Sequence, residues 1–217
     1  MVSLHQIAEK LARIILFKVG PEAKSYEKYG EEALAVITYG LEVTLGALGE
    51  LIAVIGIGTL LKVFPEIMVA FLTQAVYRLG SGGAHCTAYY RCLISSLVAL
   101  LLVAGSARYL EKVMPEWGIG GLALAVTLVG LPVVARWAPA DTPANPITDP
   151  VRRKFFRRLS FLFLASWTIL IFLAAGRIKA SVLYASIVAV LLQTLTVTPL
   201  GYWLIMKVDR SLGAKVS

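Results

Sequence analysis

The amino-acid sequence predicts an all-α integral membrane protein. About six transmembrane helices are expected, one of them short or re-entrant, behind an N-terminal amphipathic helix at the interface. Three observations carry this. The 217-residue chain is 58% hydrophobic with a mean hydropathy of +0.77, well above soluble domains. Its charges gather between apolar runs. Several of those runs approach or exceed the ~20 residues that a helix needs to cross a bilayer. Residues 1–217 are read as one membrane-embedded domain, with an interfacial helix and basic stretch over 1–30, a polar island over 78–92 and a basic loop over 136–158.

Each element follows from the pattern. In residues 3–18, Leu4, Ile7, Leu11, Ile14 and Ile15 recur at helical spacing, while His5, Glu9, Lys10 and Arg13 share the other side. That pattern suits an interfacial helix, or one packed on the end of a bundle. It does not suit a signal peptide, because charge interrupts the apolar residues and no small-residue cleavage site follows. Residues 33–61 are apolar apart from Glu42 and Glu50. Residues 67–77 give only eleven apolar positions after Pro65 and Glu66, so this piece spans by borrowing its flanks or dips in as a re-entrant segment. Residues 92–107 form a 16-residue run fenced by Arg91 and Arg108. Uncharged runs of 19, 18 and 27 residues follow at 117–135, 159–176 and 180–206.

Charge then orients the spans. Lys10, Arg13, Lys18, Lys24 and Lys28 precede the first span, and Arg136, Arg152, Arg153, Lys154, Arg157 and Arg158 fill the loop before the fifth. Lys207, Arg210 and Lys215 follow the last. The positive-inside rule puts all three regions in the cytoplasm. Six crossings with both termini inside satisfy it, and the 78–92 island then lies on the cytoplasmic side. Arg177 and Lys179 fall outside and count against the scheme. The formal net charge of +8 suits such loops and anionic lipid, and no aromatic–basic interleaving points to nucleic acid.

The island reads RLGSGGAHCTAYYRC and holds both cysteines and one of the two histidines. A thiol beside an imidazole is the minimum equipment for acyl transfer through a thioester. The bland alternative is a buried cysteine near a histidine that makes an ordinary polar contact. Zinc fits worse, since His85, Cys86 and Cys92 offer at most three ligands; no metal or cofactor is expected. In a continuous helix, His85 and Cys92 would share a face but stand about 10 Å apart, whereas proton transfer needs roughly 3 Å. Gly82 and Gly83 are therefore expected to form a turn that leaves His85 in a loop or at a frayed helix start. A histidine from a second copy would also close the distance, which makes a homodimer a candidate assembly. Two cysteines near a cytoplasmic face are expected to stay reduced.

The spacing of Arg78, Gly83, His85 and Cys92 resembles that of the accessory gene regulator B (AgrB) family, bacterial membrane cysteine endopeptidases of quorum sensing. A second similar stretch is APADTPANPI over 138–147. The resemblance implies a short AgrD-like precursor peptide as substrate, with Cys92 as nucleophile and His85 as base. A thiolactone or lactone autoinducer would be the product. It further implies supporting roles for Arg78 at a substrate carboxylate or the oxyanion, for Gly83 in backbone shape and for Ser81 in the turn. Cys86 stands off the pattern. Family members often carry lysines soon after the Ala-Pro-Ala stretch, where this chain has Pro143, Ala144 and Asn145. Arg152, Arg153 and Lys154 are the candidates to meet an acidic tail instead. Glu42 and Glu50, eight residues apart inside a span, are functional suspects as intramembrane acids; one could orient His85, or both could fix helix packing. The competing class is a membrane peptide exporter or structural subunit without catalysis, which leaves the four-residue spacing to chance.

Overall fold

A computed structural model describes residues 4–19, 26–141 and 147–213. Among these residues the elements are helical: α1 Leu4–Val19, α2 Tyr26–Leu60, α3 Phe64–Ser81, α4 Tyr89–Val113, α5 Gly118–Trp137, α6 Pro150–Ala174, α7 Ala180–Thr196 and α8 Pro199–Gly213. One isolated parallel bridge joins Gly82 to Ala140. The chain divides into two compact units, residues 1–53 and 54–217, with the boundary inside α2.

In the first unit, α1 has the expected two-sided character. Ile7, Leu11, Ile14 and Ile15 remain exposed, as an apolar face made for lipid would be. Glu9 and Arg13 pair at 2.6 Å one turn apart on the polar side. Across to α2, Nδ1 of His5 lies 3.4 Å from Oε2 of Glu42, so one of the two suspect acids has a partner within this unit.

In the second unit, α7 is the central helix. It packs on α3, α4 and α5, while α6 covers α5 and α3. Burial runs around α7 from Ser181 to Thr194, as required of a helix with neighbours on several sides. The neighbours' outer faces carry Leu102, Leu128, Leu162 and Ile169 fully open, the perimeter that lipid would cover. Lipid is as apolar as leucine, so helices within it are held by close packing and a few interhelical hydrogen bonds. Thr127 meets Thr168 at 2.6 Å, Thr73 meets Ser186 at 3.0 Å, and Nε1 of Trp167 donates to Ser186 at 2.9 Å. Tyr77 stacks on Phe163 with ring centroids 4.6 Å apart.

Among the described residues four helices are long and apolar enough to cross a membrane, at 30–60, 89–113, 118–137 and 150–174, and the α7–α8 pair makes a fifth if counted as one broken span. The short piece is helical through its flanks, one of the two readings expected of it: α3 has 18 residues and is about 27 Å long, with Pro65 and Glu66 opening it and Arg78 in its last turn. One expectation changes, because the uncharged 27-residue run over 180–206 is two helices bent by 90°. Pro199 has no N–H and disfavours helical backbone at Thr198, so α7 stops. The Thr198 hydroxyl donates to Leu195 O at 2.7 Å and accepts Gly201 N–H at 3.2 Å, which opens α8 at once. Gly201 lies so close to the end of α7 that a Cβ there would stand 2.1 Å from Leu195 O.

Candidate active site

The island emerges between two helices. α3 ends at Ser81 and α4 begins at Tyr89, so His85 is in non-helical chain, as the glycine pair predicts, and Cys92 is in the first turn of α4. Gly82 has φ +66° and Gly83 φ +144°, backbone that only glycine adopts without strain. Space enforces the same choice. A Cβ on Gly82 would stand 2.0 Å from Ala140 O, and one on Gly83 would stand 2.9 Å from the Thr196 hydroxyl.

Three partners hold this segment extended. Ala140 N–H donates to Ser81 O at 2.8 Å and Gly83 N–H donates to Ala140 O at 3.1 Å, so the start of the 138–147 stretch is bonded to the turn. Residues 142–146, with Pro143, Ala144 and Asn145, lie outside the described residues. From α7, Ala84 N–H donates to Thr196 O at 3.2 Å. Gln193, only 2% exposed, donates from Nε2 to Gly82 O at 2.7 Å and to the Ser81 hydroxyl at 3.1 Å. Ser81 is fully buried and also donates to Gly82 O at 3.2 Å, which is the turn role expected of it.

Arg78 reaches forward from the last turn of α3, and its Nη2 donates to Ala84 O at 2.6 Å. That bond puts a fixed positive charge one residue before His85. His85 keeps an exposed surface and makes no side-chain hydrogen bond among the described residues. Desolvation by the protein around the ring, and secondly the Arg78 charge, hold its pKa down at about 4. The imidazole is thus neutral at neutral pH and able to accept a proton.

The two thiols are neighbours. The Cys86 thiol lies 3.9 Å from the Ser95 hydroxyl, and burial first, then the adjacent Cys92, push its pKa up. Cys86 and Cys92 are both free and half-buried. Beyond them Thr87 is gripped by Asp209 of α8, whose carboxylate accepts its N–H at 3.2 Å and its hydroxyl at 2.7 Å. Arg91, one residue before Cys92, lies 3.5 Å from the same carboxylate. Asp209 and Gln193 escape sequence reasoning. Each meets the island from more than a hundred residues away, and neither stands in a pattern.

The basic cluster is divided in its duties. Arg153 donates to Asp141 Oδ2 at 2.8 Å, and Arg157 Nε donates to Ala138 O at 2.8 Å, so both brace the segment that bridges to Gly82. Arg152 and Lys154 project into the open. Beside this brace is a cleft of about 550 Å³ floored by Ala140 and Val197 and walled by Trp137, Tyr202 and Trp203. Glu42 and Glu50 belong to the 1–53 unit, while the island belongs to the other. Among the described residues no group of three or more His, Cys, Asp or Glu is arranged to hold a metal ion.

Comparison with known proteins finds the same family that the sequence resembles. A family model described as "Accessory gene regulator B" matches residues 6–197. A "Putative AgrB-like protein" of Clostridium perfringens (strain SM101 / Type A) is 25% identical over 210 residues, covering 93% of this chain and 96% of that protein. An "Accessory gene regulator protein B" of Staphylococcus aureus (strain Newman) is 28% identical over 117 residues, 54% of this chain and 57% of its own. No solved structure matches.

Proposed function

The chain belongs to the accessory gene regulator B family, and from that premise we propose that it is a membrane cysteine endopeptidase of bacterial quorum sensing. Its substrate is a short AgrD-like precursor peptide with an acidic tail. The observation that carries this reading is the break between Ser81 and Tyr89, which frees His85 from the ~10 Å separation that a continuous helix would impose on it and Cys92.

The chemistry runs in two acyl transfers. His85, neutral and unbonded, takes the Cys92 thiol proton as the sulfur attacks the carbonyl that ends the signal segment. The peptide C–N bond breaks, the imidazolium gives its proton to the leaving amine, and the acidic tail departs. Cys92 is left as a thioester. A thiol or hydroxyl within the bound peptide then attacks that carbonyl. A new S–C or O–C bond closes the ring, the Cys92 S–C bond breaks, and the thiol recovers its proton. Arg78 is placed to meet the oxyanion or a substrate carboxylate once a peptide displaces its bond to Ala84 O. Arg152, Lys154 and Arg158 are exposed cations open to the acidic tail. A thioester lies uphill of an amide, so removal of the tail or of the cyclic product draws the reaction forward.

In this reading residues 78–92 and the 136–158 loop face the cytoplasm. The test is cleavage of a co-expressed candidate precursor in membranes by wild type, Cys92→Ser and Cys86→Ser proteins. Cleavage lost only with Cys92→Ser is the expected result. Cleavage that survives Cys92→Ser overturns the reading and leaves a non-catalytic exporter.

A further inference from the structure

α4 begins poorly. Its N-cap is Ala88, which offers no side-chain acceptor to the first turn, and alanine is among the weakest residues at that position. The cap residue itself thus adds no side-chain bond to the turn that leads from His85 into Cys92. An anchor is supplied just before it, at Thr87, by α8, 122 residues on. Asp209 takes the Thr87 N–H with one carboxylate oxygen and the Thr87 hydroxyl with the other. Arg91 closes the arrangement from the far side of the N-cap, with Nη1 3.5 Å from the carboxylate, 3.4 Å from Asp209 O and 3.4 Å from the Thr87 hydroxyl. Asp209 is only 7% exposed, and these partners are all in the 87–91 stretch between the two catalytic candidates. A carboxylate so covered is costly unless fully paired, so its partners are held in register.

We infer that Asp209 is a positioning residue for the peptidase site: it clasps Thr87 and Arg91 and so fixes the approach of the His85 segment to Cys92. The inference rests on the peptidase reading for its catalytic consequence, but the clasp itself can be read without substrate. It also gives the bend at Pro199 a purpose, because the turn there carries α8 across to α4, which it contacts.

The experiment compares full-length wild type with the isosteric Asp209→Asn variant in detergent or membranes. Hydrogen–deuterium exchange over residues 84–91 should quicken by about tenfold or more, while α3 and α7 hold their protection. In precursor cleavage kcat should fall about 10–100-fold with KM within twofold, as expected of a small misplacement of reacting groups. Unchanged exchange, or unchanged kcat despite faster exchange, overturns the inference. Should the Asn variant fail to accumulate, Thr87→Val replaces it. That variant should show the same exchange and kcat changes, and Thr87→Ser, which keeps both bonds, should restore them. Equal behaviour of the Val and Ser proteins overturns the inference as well. A wild type that cuts no precursor strikes the peptidase reading instead, and the exchange contrast still decides the clasp.

Discussion

On the proposed reading His85 takes a proton from a thiol with an arginine beside it, and the two demands leave a signature in pH. Desolvation and the Arg78 charge both disfavour the imidazolium, holding the pKa at about 4. A base must be neutral to act, and a lowered pKa keeps it neutral further into acid. The acid limb of kcat/KM is therefore expected below pH 5, not near the ordinary histidine value of about 6.5. Arg78→Gln removes the second cause, so it should move that limb upward as well as slow the reaction. A limb that stays put under Arg78→Gln would mean that His85 does not titrate it. The glycines make a second test. The family resemblance singles out Gly83, yet Gly82 is the tighter position, since a Cβ there meets backbone oxygen at 2.0 Å and not a side-chain hydroxyl at 2.9 Å. Gly82→Ala adds about 1–3 kcal/mol of backbone strain and must also part Gly83 from Ala140. It should impair cleavage and lower the melting temperature more than Gly83→Ala. The candidates Arg78, Gly83, His85 and Cys92 could be picked out because their types and spacing are local. Gln193 and Asp209 could not, because a lone amide in an apolar run and a lone acid in a basic tail mean nothing until the fold brings them to the turn.

At the scale of the element, the two arginines that fence the 92–107 run lie inside α4, and each has an acid waiting. Arg91 meets Asp209 near one end. At the other, Arg108 holds Glu66 of α3 at 3.1 Å and 3.2 Å, and also reaches Lys62 O. Glu66 is 1% exposed and accepts the Ser181 hydroxyl at 2.9 Å as well, with Lys179 3.6 Å away. Glu111 of α4 adds a bond from Ser181 N–H at 3.1 Å. This cluster ties the starts of α3 and α7 to the end of α4, and so anchors α3 at the end opposite the site. Removing Arg108 leaves the buried Glu66 carboxylate with only the exposed Lys179 as counter-charge, a cost below the about 3–5 kcal/mol of a buried charge left wholly uncompensated. Arg108→Met should therefore lower thermal stability in detergent by more than Glu66→Gln, which retires the buried charge along with the pair. Equal losses would show that the cluster acts by hydrogen bonding alone. The apolar run 117–135 lies close to α5, but the 16-residue run 92–107 is only the middle of the 25-residue α4, and α6 starts at Pro150, nine residues before its apolar run, because a helix goes on through charged turns that end an apolar run. Sequence reasoning merged α7 with α8 because hydropathy is blind to Pro199, whose effect is on backbone geometry and not on polarity.

The whole molecule turns on which side of the membrane the site faces, and α6 offers the cleanest place to ask. Its 25 residues span about 37 Å, enough to put its two ends on opposite sides of a hydrocarbon core about 30 Å thick. Arg136 stands before it and Arg152, Arg153, Lys154, Arg157 and Arg158 fill its opening turns; after it come only Arg177 and Lys179. The rule that orients spans counts such cations near helix ends and gives acids little weight, so the first end should face the cytoplasm. Lys179 has a further reason to be where it is, since it lies within 4 Å of both Glu66 and Glu111 and completes their cluster. Its position is set by packing and is a poor witness to topology. Orientation can be read in a background lacking Cys86 and Cys92, with a single cysteine placed as Arg152→Cys or as Arg177→Cys, both exposed positions. A membrane-impermeant maleimide applied to intact cells should label the second and spare the first, and permeabilisation should expose both. The 138–141 segment beside the first end is bonded to Ser81 and Gly83, so the site shares that end of the bundle. Labelling in the reverse order would move the site to the outer face, where a precursor would have to be delivered across the membrane before it could be cut.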